Sequence, residues 1–181
     1  MTWKEMLKKQ RIPFSFSIVP LYVWLATPST ASLLWSLPPV VLGVLLRAYA
    51  SGYLNKQVEL TMTGPYAYIR HPLYLGSALI AFGFACASCS WMIAAIFSIM
   101  YTAFYFPTIE HEERFLHERF IEFETYAAQV PRFIPLLTKP KLPMWLQSFS
   151  LRTYLLHREY NVILGALMMY VAMLGIVILG S

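Results

Sequence analysis

Residues 162–180 run without a single charged side chain. At 1.5 Å per residue that stretch makes a helix about 28 Å long, close to the roughly 30 Å hydrocarbon core of a bilayer. In lipid every backbone N–H and C=O must be satisfied within the protein, so such runs fold as helices. Four more apolar stretches precede it. Residues 12–26 make a short one and residues 31–53 a full one. Residues 73–106 are long enough for two helices that turn near Ser88, Cys89 and Ser90. The chain is 58% hydrophobic and only 13% charged, against about 25% charged in a soluble domain. The expected fold is all-α: a polytopic integral membrane protein with about five transmembrane helices, built as one domain over residues 1–181.

The placement of positive charge orients it. The turns near Pro28 and Ser88 and the tail at Ser181 carry no Lys or Arg, although the chain has fourteen. Basic loops stay in the cytoplasm. The N-terminus is therefore expected inside and the C-terminus outside. Arg47 then lies in the inner half of its helix, about two turns from the end. Residues 1–11 are basic and amphipathic, and no cleavable secretory signal is expected. The net charge of +5 does not point to nucleic acid, because the basic residues flank membrane-grade apolar sequence.

Two longer stretches, 55–72 and 108–159, fall on the cytoplasmic side, where chemistry is expected. Leu116, Phe120, Phe123 and Ala127 recur at helical spacing and predict one amphipathic helix over 109–130, ended by Pro131. Pro135, Pro140 and Pro143 keep the following chain irregular. Ser77, Ala81, Ala85 and Cys89 form a row of small residues, a pattern that favours close helix packing in lipid.

Four groups of residues can carry chemistry. In Arg70-His71-Pro72-Leu73-Tyr74-Leu75-Gly76, Pro72 suits the first position of a helix. The free amides of Leu73, Tyr74 and Leu75 would then face the cytoplasm and attract an anion. Anchoring of Arg70 and His71 at headgroups accounts for the segment equally well. Glu112 and Glu113 can bind a ligand ammonium, or simply favour the dipole at a helix start. Arg132 in Pro131-Arg132-Phe133-Ile134-Pro135, with Tyr126 nearby, can grip a carboxylate or phosphate; headgroup binding is the alternative. Arg47, a charge within a span, is a functional candidate by default, with snorkelling to the interface as the alternative.

No metal site is expected. His111-Glu112-Glu113-Arg114 lacks the second histidine of a zinc-protease helix, and His117 lies off its face. Cys86 and Cys89 fit small packing residues, a disulfide being the alternative. There is no phosphate-binding glycine loop and no nucleophile elbow.

Taken together, Gly64-Pro65-Tyr66, Arg70-His71-Pro72-x-Tyr74-x-Gly76, Glu112-Glu113 and Tyr126…Pro131-Arg132-Phe133-Ile134-Pro135 resemble the isoprenylcysteine carboxyl methyltransferase family. The wider group includes phospholipid methyltransferases. The resemblance runs over residues 47–135, the implied catalytic core, and the size is similar to compact prokaryotic members. It implies a prokaryotic cytoplasmic membrane, an active site facing the cytoplasm, and S-adenosylmethionine as methyl donor. Arg70, His71, Pro72, Tyr74, Leu75, Gly76, Glu112 and Glu113 would bind the cofactor. Arg132 and Tyr126 would lie on the substrate side, with Arg47 contributing from the bundle. The implied partner is a lipophilic small-molecule or lipidated acceptor entering from the bilayer among membrane lipids. O-methylation of an isoprenylcysteine-type carboxylate is expected first. The alternatives are N-methylation of a phospholipid amine, an NADPH-dependent reductase of related architecture, and a non-catalytic scaffold.

Overall fold

The computed structural model describes residues 20–54, 60–138 and 148–180. The basic N-terminus 1–11 and most of the apolar segment 12–26 lie outside the described residues, as do Lys56, Pro140 and Pro143. Everything described is helix, turn or irregular chain. The helices are α1 (Thr30–Tyr53), α2 (Pro72–Ser88), α3 (Trp91–Arg119), α4 (Phe123–Gln129), α5 (Leu151–Leu156) and α6 (Tyr160–Gly180). A 3-10 turn, Gly64–Ala67, precedes α2.

Three of these, α1, α3 and α6, are long and apolar enough to cross a membrane, where the sequence predicts five spans. The 17 residues of α2 fall short of the roughly 20 a span requires. The first apolar segment contributes only its helical end at 20–25 to the described chain. The outward-facing side chains are those of a protein in lipid: Leu42, Ile99, Leu164 and Val171 are all largely exposed.

At one end of the bundle, Ser29 caps α1 by accepting from the Ser32 amide at 3.1 Å. The Thr27 amide reaches the Ser88 carbonyl at 2.9 Å. Cys89 turns the α2–α3 hairpin in the left-handed region, at φ 50°, where the sequence puts the turn. Trp24, Trp35 and Trp91 are each about four-fifths exposed and lie within about two turns of this end. That is the usual place of an aromatic belt.

Glycine sets the closest approach in the bundle. A Cβ on Gly76 would come within 2.6 Å of Arg47 Cγ and 2.8 Å of the Gly43 carbonyl. One on Gly83 would meet Val40. The backbones of α1 and α2 touch through these positions. Of the small-residue row expected to favour close helix packing, Ser77 is buried against Arg47 of α1. Ala81, Ala85 and Cys89 instead line a cleft of about 680 Å³ that opens between α2 and α3.

At the opposite end, the helix expected over 109–130 is two helices. α3 passes through Pro107 and runs on to Arg119, so the membrane helix and the start of the cytoplasmic helix are one rod. Phe120 is extended, at φ −125° and ψ 115°, and the chain restarts as α4. The break lets Phe123 and Tyr126 turn inward against Met62 and Val130 in a small core of their own. Tertiary burial thus overrides the helical periodicity that ran through the break.

Candidate active site

Two backbone bonds stitch the segments that carry the chemistry. The Arg70 amide donates to the Pro131 carbonyl at 2.9 Å, and the Leu136 amide to the Tyr68 carbonyl at 2.9 Å. They lay residues 131–136 alongside residues 68–70, at the level where α3 presents Glu113. Glu113 is the hub. Its Oε1 accepts from Arg70 Nη1 at 2.9 Å, His71 Nε2 at 3.0 Å and Arg132 Nε at 3.2 Å. Its Oε2 accepts from Arg132 Nη2 at 2.6 Å. The Glu113 side chain is only 9% exposed and that of Arg132 is 45% exposed. Arg132 therefore has one edge on the carboxylate and the rest toward solvent.

His71 caps α2 and is buried. Burial lowers its pKa, and the nearby Glu113 and Glu112 offset this only in part. A neutral imidazole beside a carboxylate donates through Nε2, and this partner fixes the tautomer. The Pro72 ring starts α2, as its missing N–H and fixed φ suit. The open row of amides expected there is not formed, because Tyr74 and Leu75 both donate to the His71 carbonyl, at 3.1 and 3.0 Å.

Glu112, one residue from the hub, faces differently. It is 40% exposed and accepts from the Tyr74 hydroxyl at 2.8 Å. Tyr74 packs edge-on against Tyr105, which stacks on Tyr101 at 4.5 Å. The Tyr101 hydroxyl donates back to the Tyr74 carbonyl at 2.9 Å. Rings thus lie beside a partly open carboxylate, a surrounding suited to a cation. Arg70, Arg132, Glu112 and Glu113 together carry no net charge when His71 is neutral. The set is bipolar, with excess positive charge at Arg132 and negative charge at Glu112.

The other expected residues take different places. Tyr126 is buried and its hydroxyl donates to the Tyr66 carbonyl at 2.8 Å. That bond ties α4 to the 3-10 turn. Gly76 is turned to α1, where its missing Cβ makes room for Arg47. Pro72 is fully buried and Leu75 half-buried. Arg47 does not snorkel free. It forms a two-point bridge to Glu159 at 2.9 and 3.0 Å and also donates to Ser77 Oγ and to the Leu73 carbonyl. Glu159 belongs to none of the motifs that mark the site in the sequence. The available signal was Arg47 itself, since a charge within a span calls for a counter-charge, and Glu159 opens the final apolar run at the same depth. Among the described residues no cluster of three or more His, Cys, Asp or Glu side chains is placed to hold a metal ion.

Residues 40–122 match the phospholipid methyltransferase family. They span α1 from its middle to the end of α3, and so carry Arg70, His71, Tyr74 and both glutamates. A protein-S-isoprenylcysteine O-methyltransferase of Schizosaccharomyces pombe is 34% identical over 84 residues, 46% of this chain and 36% of that protein. Over this part of its length the chain is similar to the isoprenylcysteine and phospholipid methyltransferases. Two bacterial relatives align with it as well. A nickel-cobalt-cadmium resistance protein of Alcaligenes xylosoxydans xylosoxydans is 37% identical, and a cobalt-zinc-cadmium resistance protein of Cupriavidus metallidurans is 36% identical. Each match covers 90 residues, 50% of this chain. The chain spans about two fifths of the length of these curated relatives, 41% in each case. No solved structure matches it. The matched region ends at residue 122, short of Arg132. The geometry, not the match, is what joins Arg132 to the site.

Proposed function

We propose that the chain is an integral-membrane, S-adenosylmethionine-dependent methyltransferase acting on a lipophilic carboxylate. The observation that carries this reading is the convergence of Arg70, His71 and Arg132 on one buried carboxylate, Glu113, beside the freer Glu112. The donor set fits the cofactor's amino-acid part. A zwitterion matches a bipolar, neutral cluster, with its carboxylate toward the arginines and its ammonium toward Glu112. The cofactor, when bound, supplies a methyl group already activated by a sulfonium.

The protein's tasks are then to orient and to exclude water. The Tyr74, Tyr101 and Tyr105 rings shield the cationic side. Arg132, half on Glu113 and half open, offers donors to an anionic acceptor, which needs no general base. The cleft between α2 and α3 reaches inward to Tyr101, next to Tyr74, and offers the acceptor's hydrocarbon a path from the bilayer. The catalytic core is taken as residues 47–135, facing the cytoplasm. Arg47 acts on it indirectly, by fixing α1 to α2.

Phospholipid amines are the second acceptor class, favoured by the matched family and by a partly exposed Glu112 able to take an amine proton. The test is transfer of a tritiated methyl from S-adenosylmethionine to two acceptors in parallel, S-farnesylated N-acetylcysteine and phosphatidylethanolamine. Base-labile label on the first alone supports the carboxylate reading. Base-stable label on the second alone transfers the chain to N-methylation. Label on neither, with S-adenosylmethionine bound, overturns both acceptors.

A further inference from the structure

The polar groups of the site are nearly all paired, and the exceptions are informative. Tyr66 Oη and Arg70 Nε are both shielded from solvent and have no hydrogen-bond partner among the described residues. They sit four residues apart, on the same turn that leads into α2. Tyr66 is 7% exposed. Its backbone is already in use: the amide donates to the Thr63 carbonyl at 3.2 Å, and the carbonyl accepts from Tyr126. Gly64, at φ +60° with the Tyr53 ring against it, sets the turn that aims the side chain inward. The ring is thus held from both sides while its hydroxyl finds no hydrogen-bond partner among the described residues. Burial first, and then the charges of Glu112 and other neighbours including Glu159, raise the hydroxyl's pKa, so it keeps its proton. A buried polar atom without a partner is costly and rare, and it persists where something absent from the apo chain completes it.

We propose that Tyr66 is a ligand-contacting residue of this site, and that its hydroxyl hydrogen-bonds the ammonium-bearing end of the bound S-adenosyl compound. The proposal rests on the cofactor reading above. The acidic surroundings decide which end of the ligand it meets. With Glu112 and Glu159 as its charged neighbours, the hydroxyl oxygen faces a region that attracts a positive donor, not a carboxylate.

Two Tyr→Phe changes separate a ligand contact from a structural one. Tyr126→Phe removes a hydroxyl that has a partner, so it lowers the melting temperature of the apo protein. Tyr66→Phe removes one that has none, so the apo melting temperature stays level or rises. S-adenosylhomocysteine then binds Tyr66→Phe roughly tenfold more weakly, the scale of one hydrogen bond to a charged group. 5′-Methylthioadenosine, which lacks the amino-acid part, binds it as it binds the unaltered chain. A Tyr66→Phe variant that melts lower, by as much as Tyr126→Phe, with S-adenosylhomocysteine affinity intact overturns the proposal. Equal weakening of both nucleosides overturns the assignment to the ammonium end. An unaltered chain that binds neither compound overturns the cofactor reading itself, before any variant is made.

Discussion

Glu112 and Glu113 are neighbours in sequence that the fold treats in opposite ways. Successive helical residues point about 100° apart, so Glu113 turns into the bundle and Glu112 toward its edge. Glu113 neutralises two arginines and binds a histidine. Replacing it leaves the largely buried Arg70 without its counter-charge, and Glu113→Gln is expected to cost about 3 kcal/mol of stability as well as cofactor affinity. Glu112 holds one tyrosine hydroxyl and is partly exposed. Glu112→Gln is expected to weaken S-adenosylhomocysteine roughly tenfold with the melting temperature unchanged. Thermal scans and titrations of both variants check the pair; equal loss of stability in the two would refute the division of roles. His71 adds a pH dependence. Its folded pKa lies below the ordinary 6.5 because burial disfavours the charged form. The stability it contributes is therefore fully present above 6.5 and lost as pH falls through the folded value. The melting temperature is expected to fall as the pH drops below that ordinary value, and to do so less steeply in His71→Asn. Each of these residues was legible in the sequence as a candidate. Which glutamate would be the hub was not, because its partners Arg70 and Arg132 lie 43 and 19 residues away and only folding decides the angle.

At the level of elements, the site rests on a rod and a clamp. The rod is α3, which carries membrane span and both glutamates without interruption. The sequence showed its apolar part and its charged part but not their continuity, nor the break at Phe120, where no Gly or Pro marks the stop. The clamp is the bridge from Arg47 to Glu159, 112 residues apart, reinforced where the Ser150 amide meets the Gly52 carbonyl at 2.9 Å. It holds the segment before α6 against the inner end of α1. Breaking one side of it, as in Glu159→Gln, is expected to cost about 3 kcal/mol, while Arg47→Met with Glu159→Met together costs much less. A double-mutant cycle on melting temperature measures the difference; two single losses that simply add would show that the bridge is not coupled. No periodicity could announce this contact, since it depends on where a turn outside any span comes to rest.

For the whole molecule, charge-free runs made the all-helical membrane fold legible before any coordinate. They did not give the number of crossings, because α2 is short and the first segment begins outside the described residues. The orientation inferred from Lys and Arg puts the exposed tryptophans and the α2–α3 turn on the outer side. Cys86 and Cys89 are the chain's two cysteines, and both are free and exposed. A membrane-impermeant maleimide is expected to label them from the non-cytoplasmic face of intact cells, and labelling only after lysis would invert the topology. On the proposed function, the cluster around Glu113 binds an S-adenosyl compound. Calorimetric titration of the detergent-purified chain with S-adenosylhomocysteine, with NADPH in parallel, tests it most directly. Saturable binding of S-adenosylhomocysteine alone is the result expected; binding of NADPH instead, or of neither by folded protein, would contradict it.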